Sequence, residues 1–488
     1  MKILPQIETV RQYAEEGAYS YIPVSTEILS DIKTPIEVLK ILKNVSTHCY
    51  MLESMENNEN RGRYTFLGFD PKLDITCLNG VMKVGDDVIK TDDPGQVLRG
   101  ILRDYKSPKI PGLPAFTGGL VGYFSYDYVK YAEKSLDLDA EDKEGFQDFD
   151  LMLFDKVIAF DYLMQKIILI VNIRLDDVDN EYKRAEKDLM DLIGLIRNGK
   201  PAEEKPGRLK GEIKPLFGKE EFCDMVQKAR YHIKEGDIFQ IVLSNRLEAE
   251  YEGSLFNVYR LLRTINPSPY MFYFSGTDVE VAGASPETLV KLDGDTLYTY
   301  PLAGTRPRGK TEEEDLKLEE ELLADPKELA EHNMLVDLGR NDIGKIAKFG
   351  SVSVKNLHSI LRFSHVMHIG STVKGTIRDD LDAIDAIDSI LPAGTLSGAP
   401  KIRACQIINE LENNKRGIYG GAIGYIDFSG NLDTCIAIRL AYKKGNKVFV
   451  RSGAGIVYDS VPEKEYQETI NKAAAVINAI RAAEDEEM

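Results

Sequence analysis

The chain has 488 residues, 43% of them hydrophobic, which is enough for a sizeable core, and a formal net charge of −18 at pH 7. That charge argues against a nucleic-acid partner or an anionic membrane surface. There is no run of about 18 apolar residues, and Met1-Lys-Ile-Leu-Pro-Gln6 has no signal-peptide core. The five scattered cysteines form no Cys-x-x-Cys, so the expectation is a cytoplasmic protein without membrane span, disulfide framework or zinc knuckle.

In chain order, a helix is predicted over 35–43, followed by an apolar strand, Cys49-Tyr-Met-Leu-Glu-Ser54. Short strands over 61–88 turn at Asp70-Pro71 and Asn79-Gly80. The Gly-rich run over 116–124 lacks the Gly-Lys-Ser/Thr ending of a phosphate loop and reads as close backbone packing. A hairpin over 156–173 and a helix over 181–197 precede a polar Pro/Gly stretch, 198–214, read as a linker between two halves. The second half opens with a helix over 219–235 and a strand over 237–250. A hairpin over 288–300 turns at Asp293-Gly294, and a three-stranded meander spans 419–458, with Arg439 on its strand 435–442. The class is α+β, with large, mostly antiparallel sheets and helices segregated from them.

Two stretches carry paired carboxylates. Asp325-Pro326 starts a helix on which Glu328, Glu331, Leu335 and Leu338 share one stripe. Glu465, Glu468 and Lys472 repeat the arrangement near the C-terminus. Facing each other, such helices make an all-oxygen site suited to Mg²⁺, whereas apart they are solvated surface. Other stretches hold glycine, hydroxyl or arginine groups beyond what a turn requires. Gly304 and Thr305 in Pro301-Leu-Ala-Gly-Thr-Arg306 suit an anion. Leu391-Pro-Ala-Gly-Thr-Leu-Ser-Gly-Ala-Pro-Lys401 opens a helix with a Gly-rich N-terminus. Arg439 among apolar neighbours wants a carboxylate, and Arg451-Ser-Gly-Ala-Gly455 lets backbone approach a ligand. His365 and His368 suit a metal by spacing, but neutral core histidines are the commoner outcome.

The ordered set Gly236-Asp-Ile-Phe-Gln240, Ala284-Ser-Pro-Glu287, Gly304-Thr-Arg-Pro307, Lys327-Glu-Leu-Ala-Glu-His332, Gly398-Ala-Pro-Lys401, Arg451-Ser-Gly-Ala-Gly455 and Glu465-Tyr-Gln-Glu-Thr469 resembles the large subunit (component I) of anthranilate synthases over nearly the whole chain. The resemblance implies the chorismate-binding enzyme fold, with two large antiparallel sheets in a sandwich-like core and helices outside. It also implies an N-terminal regulatory region, 1–200, and a catalytic region, 215–488. Chorismate is aminated at C2 with loss of the C4 hydroxyl, and pyruvate is then eliminated. By analogy Glu331 and Glu468 ligate Mg²⁺, with Glu328 and Glu465 in support. Lys472 assists at the ring carboxylate, while Tyr419, Arg439 and the amides of Gly453, Ala454 and Gly455 take the enolpyruvyl carboxylate. Gly304 and Thr305 line the pocket, Glu287 is the general acid, and His368 serves the elimination.

No Gly-x-Cys-x-Gly elbow surrounds any cysteine. The family's separate glutamine amidotransferase subunit, component II, is therefore the expected partner in a hetero-oligomer, with a heterotetramer the expected form. Leu52-Glu53-Ser54 and Asn266-Pro-Ser-Pro-Tyr-Met271 match the family's tryptophan site, implicating Glu53, Ser54, Pro269, Tyr270 and Met271 in feedback inhibition. Met51 stands where the family usually has Leu. Aminodeoxychorismate synthases typically have Lys at the position of Ala303, and isochorismate and salicylate synthases have Lys at that of Gln240. A reading of another class is a non-catalytic amino-acid sensor that kept the fold.

Overall fold

The computed structural model describes residues 2–54, 62–362 and 366–484. Arg61, the start of one expected strand region, and His365 lie outside them.

Two twelve-stranded sheets, antiparallel in all their ladders, dominate the described residues. The first runs from edge strand Tyr21–Leu29 through Cys49–Glu53, Tyr270–Ser275, Val279–Ser285 and Leu440–Lys444 to Gln240–Glu252 and Arg208–Pro215. The second runs from Leu302–Pro307 through Val366–Thr376, Thr288–Asp293, Leu432–Ile436 and Ala422–Asp427 to Gly119–Phe124 and beyond. Between them lies one core containing Tyr50, Val121, Phe154, Ile170, Phe274 and Cys435. Helices cover the outer faces. The strand periodicity of two places Tyr50 in the core between the sheets and Cys49 and Met51 in the core under the helices. Because both faces are covered, these strands read as apolar runs rather than alternations.

Both sheets cross the presumed boundary between halves. Cys49–Glu53 pairs with Tyr270–Ser275, and Gly119–Phe124 pairs with Ala422–Asp427. The expected linker is irregular only in its first part: the still polar Arg208–Pro215 is an edge strand on Gln240–Glu252. The strand expected over 435–442 is interrupted. Leu432–Ile436 belongs to the second sheet and Leu440–Lys444 to the first, with Arg439 between them in a left-handed setting (φ 54°). The three-stranded meander is therefore four strands divided between two sheets. Val279–Ser285 and Thr288–Asp293 make the same change of sheet through Pro286-Glu287. The two crossovers are hydrogen-bonded to each other, Ala284 N to Arg439 O at 3.0 Å and Ile436 N to Glu287 O at 2.9 Å. Glu287 and Arg439 thus arrive at one place.

Candidate active site

The helix Pro326–Gly344 begins where the sequence predicts. Asp325 caps it, its Oδ1 accepting from Lys327 N at 3.0 Å and Glu328 N at 3.4 Å and so satisfying two amides that the helix leaves without partners. It runs through Gly339 to Gly344 because Leu335, Val336 and Ile343 are buried, each side chain contributing about 1.5–3 kcal/mol. Glu328 and Glu331 emerge partly buried at the margin, as do Glu465 and, with a more exposed side chain, Glu468 on the helix Pro462–Ala482. Burial and then the neighbouring Glu328 push Glu331 above the ordinary carboxyl value, with Glu468 acting in the same direction. Burial likewise raises Glu465, with Glu468 adding to the effect.

Carboxylates gathered in this way, with Glu328 and Glu468 bearing on Glu331 and Glu468 on Glu465, are the donor chemistry a hard dication relieves, so the residues suit Mg²⁺. In this arrangement Glu468 bonds Lys472 (2.6 Å) and Glu328 bonds Arg306 (3.3 Å). Among the described residues no three His, Cys, Asp or Glu side chains already stand as a metal cage. Gathering an ion there requires those carboxylates to turn from their present partners.

The remaining predicted groups surround this cluster. Lys472 Nζ donates to Gly453 O at 3.1 Å. Gly453 lies against Tyr419: a methyl built on the glycine would stand 2.8 Å from the tyrosine hydroxyl, so the glycine permits the approach. Burial pushes the Tyr419 phenol up to about 12. Arg439 lies within electrostatic reach of Tyr419, Glu287 and Glu468. Among the described residues no carboxylate is within salt-bridge distance of its guanidinium, which leaves it able to receive a carboxylate from a ligand. Gly455 stands beside Gln240, whose buried Oε1 has no partner among the described residues. Ala303 is buried next to Gly304.

Glu287 accepts a hydrogen bond from Thr395 Oγ1 at 3.2 Å. Burial pushes its carboxyl above the ordinary value, against the opposing pull of that bond and of Arg439 and Lys472. His368 lies on Val366–Thr376, with Nδ1 2.8 Å from Gly304 O and 3.1 Å from Thr305 Oγ1. Burial lowers its pKa, and a carbonyl partner assigns the proton of the neutral ring to Nδ1. A narrow cavity of about 40 Å³ adjoins Glu287, Thr288, Thr395 and Leu338. Thr395 is the partner that sequence reasoning missed. It sits in the quoted Pro-Ala-Gly-Thr motif, but nothing in the chain pairs it with a glutamate 108 residues away.

A second cavity, of about 540 Å³, is lined by Glu53, Ser54, Pro269, Tyr270 and Met271 together, with Asp433 opposite. Met271 and Glu53 face each other in register across the sheet. The Glu53 carboxylate is already engaged, by Arg263 through two bonds and by Tyr259 Oη.

A family model described as chorismate binding enzyme matches residues 47–478. Anthranilate synthase component 1 of Acetivibrio thermocellus is 44% identical over 98% of this chain and 99% of its own. That of Aquifex aeolicus (strain VF5) is 44% identical over 99% of each. Among solved structures, anthranilate synthase component I from Streptococcus pneumoniae TIGR4 superposes with a TM-score of 0.75 at 36% identity, covering 92% of this chain and 98% of the other. The menaquinone-specific isochorismate synthase from Escherichia coli gives 0.70 at 18% identity, over 97% and 98%, and shares the fold.

Proposed function

The chain belongs to the chorismate binding enzymes, with the anthranilate synthase component 1 proteins as relatives, and we propose on that basis that it converts chorismate and ammonia to anthranilate, pyruvate and water in the cytoplasm, as the first committed step of tryptophan synthesis. The observation that carries the reading is the meeting, at the two crossovers, of Glu287, whose carboxyl burial raises, with an Arg439 that has no carboxylate within salt-bridge distance among the described residues.

The substrate's two carboxylates orient it. The enolpyruvyl carboxylate takes Arg439, the Tyr419 hydroxyl and the amides of Gly453, Ala454 and Gly455, and Lys472 offers positive charge at the ring carboxylate. Glu331 and Glu468 would hold Mg²⁺, with Glu328 and Glu465 behind them; when bound, the ion supplies a Lewis acid and a template for the ring carboxylate. Glu287 gives its proton to the departing C4 hydroxyl, which leaves as water while ammonia adds at C2. The neutral His368, with Nδ1–H held by Gly304, accepts the proton released as pyruvate is eliminated. Gly304 and Thr305 wall the pocket beside it.

Ammonia comes from glutamine through a partner amidotransferase subunit, component II, in a hetero-oligomer. Ala303 and Gln240, in place of the lysines of the C4-aminating and water-adding relatives, favour amination at C2. Tryptophan occupies the cavity at Ser54, Pro269, Tyr270 and Met271 and inhibits. Glu53, tied to Arg263 and Tyr259, braces that wall.

The test is purified chain with chorismate, Mg²⁺ and ammonium, followed by anthranilate fluorescence. Anthranilate forms with ammonium and not with glutamine alone. The pH dependence has two limbs. Turnover falls as pH rises through the raised Glu287 pKa, because the acid loses its proton, and as pH falls through the lowered His368 pKa, because the base gains one. No anthranilate under any of these conditions sinks the reading.

A further inference from the structure

One residue of the strand Thr288–Asp293, Thr288, links the walls of the two cavities. Thr288 follows Glu287 directly and borders the narrow cavity with it. Its hydroxyl lies 2.9 Å from Tyr270 Oη, and Tyr270 lines the large cavity. Tyr270 Oη also bonds Asp433 Oδ1 at 2.8 Å. A phenol has one proton, and the Asp433 carboxylate takes it, so Thr288 donates to the phenol's lone pair. The chain of bonds runs Thr288 to Tyr270 to Asp433 across three strands.

The backbone at Thr288 makes this tie matter. Thr288 pairs with Cys435 and Val290 with Thr434, so Leu289 is an extra residue and the strand bulges next to Glu287. Bulges interrupt the ladder and redirect side chains, so their setting depends on side-chain bonds. Here Thr288, 5% exposed, is turned to Tyr270, while Glu287 is turned to Thr395 on the opposite side.

We propose that the Tyr270 hydroxyl is a positioning residue for the Glu287 carboxyl, acting through Thr288, and that an occupant of the Tyr270 cavity bears on the reaction through this contact. The inference rests on the reading of Glu287 as the proton donor in chorismate amination.

Tyr270→Phe and Thr288→Val remove one hydroxyl each and keep the shape. Assayed beside wild type with chorismate and ammonium, each lowers kcat about 10- to 100-fold with KM for chorismate within about twofold. Each also moves the alkaline limb of kcat to lower pH, because a loosened, wetter carboxyl loses its proton sooner. Thr288→Ser keeps the hydroxyl and restores both properties. Tryptophan binding is read from the ligand's own indole fluorescence, since the chain has no tryptophan. Bound tryptophan inhibits wild type but leaves the residual turnover of Thr288→Val unchanged. An unmoved pH limb in both variants overturns the inference, as does equal fractional inhibition of wild type and Thr288→Val with tryptophan bound. A wild type that makes no anthranilate overturns the proposed reaction itself, and this inference with it.

Discussion

Arg439 combines two costs that a structural residue avoids. Its left-handed backbone (φ 54°) costs a non-glycine residue about 1–2 kcal/mol. Its guanidinium is taken from water without a paired carboxylate among the described residues, and burial pulls its pKa below the ordinary arginine value. Both costs are accounted for if the missing anion is the substrate. On that basis Arg439→Lys, which keeps the charge but loses the planar two-pronged donor, is expected to raise KM for chorismate about 10- to 100-fold, the equivalent of about 1.5–3 kcal/mol of charged hydrogen bonding. Steady-state kinetics in ammonium decides this, and an unchanged KM would make Arg439 a structural residue.

At the scale of elements, the helices Pro326–Gly344 and Pro462–Ala482 are held by their apolar stripes and leave Glu331 and Glu465 where burial penalises ionisation. Glu331 has a folded pKa above its unfolded one. Its contribution to stability is therefore full below the unfolded pKa and is lost as pH rises through the folded value. Ionising Glu331 therefore weakens the fold, and Gln at this position removes that dependence. Glu331→Gln and Glu468→Gln should each lower turnover more than about 100-fold and weaken Mg²⁺ binding by calorimetry. The melting temperature of metal-free Glu331→Gln at pH 8 should be no lower than wild type. Either variant turning over at the wild-type rate in low Mg²⁺ would remove its glutamate from the ligand set.

At the scale of the whole molecule, neither half of the chain forms a sheet alone. The cavity proposed for tryptophan joins Ser54 from one half to Tyr270 and Met271 from the other, across the pairing of Cys49–Glu53 with Tyr270–Ser275. A ligand that fits better in one relative setting of these strands shifts the population toward it. Bulk at Ser54, which is no part of the Thr288–Tyr270–Asp433 chain of bonds, should block the ligand and spare the chemistry. Ser54→Phe is expected to weaken tryptophan inhibition at least about tenfold while keeping kcat within about twofold. Inhibition curves of the two proteins that coincide would place the inhibitor elsewhere.

The sequence by itself determined the local elements and the family. Asp325-Pro326 set a helix start, and Asn79-Gly80 and Asp293-Gly294 set turns. The chemistry-bearing motifs could be read as a set, because cap and turn preferences and short motifs act over a few residues. Tertiary structure alone decided what joins them. The broken strand at Arg439 was read as continuous because its flanks are uniformly apolar, and they are apolar because both sheets are covered on both faces. The division into halves read from the polar stretch 198–214 missed that long-range strand pairing carries both sheets across it. The meeting of Glu287 with Arg439 depends on where two crossovers come together, and those of Glu287 with Thr395 and Thr288 with Tyr270 on how the turn Gly394–Leu396 and the strand Tyr270–Ser275 pack beside them. No local preference encodes such a meeting, because its energy comes from burying sheet against sheet.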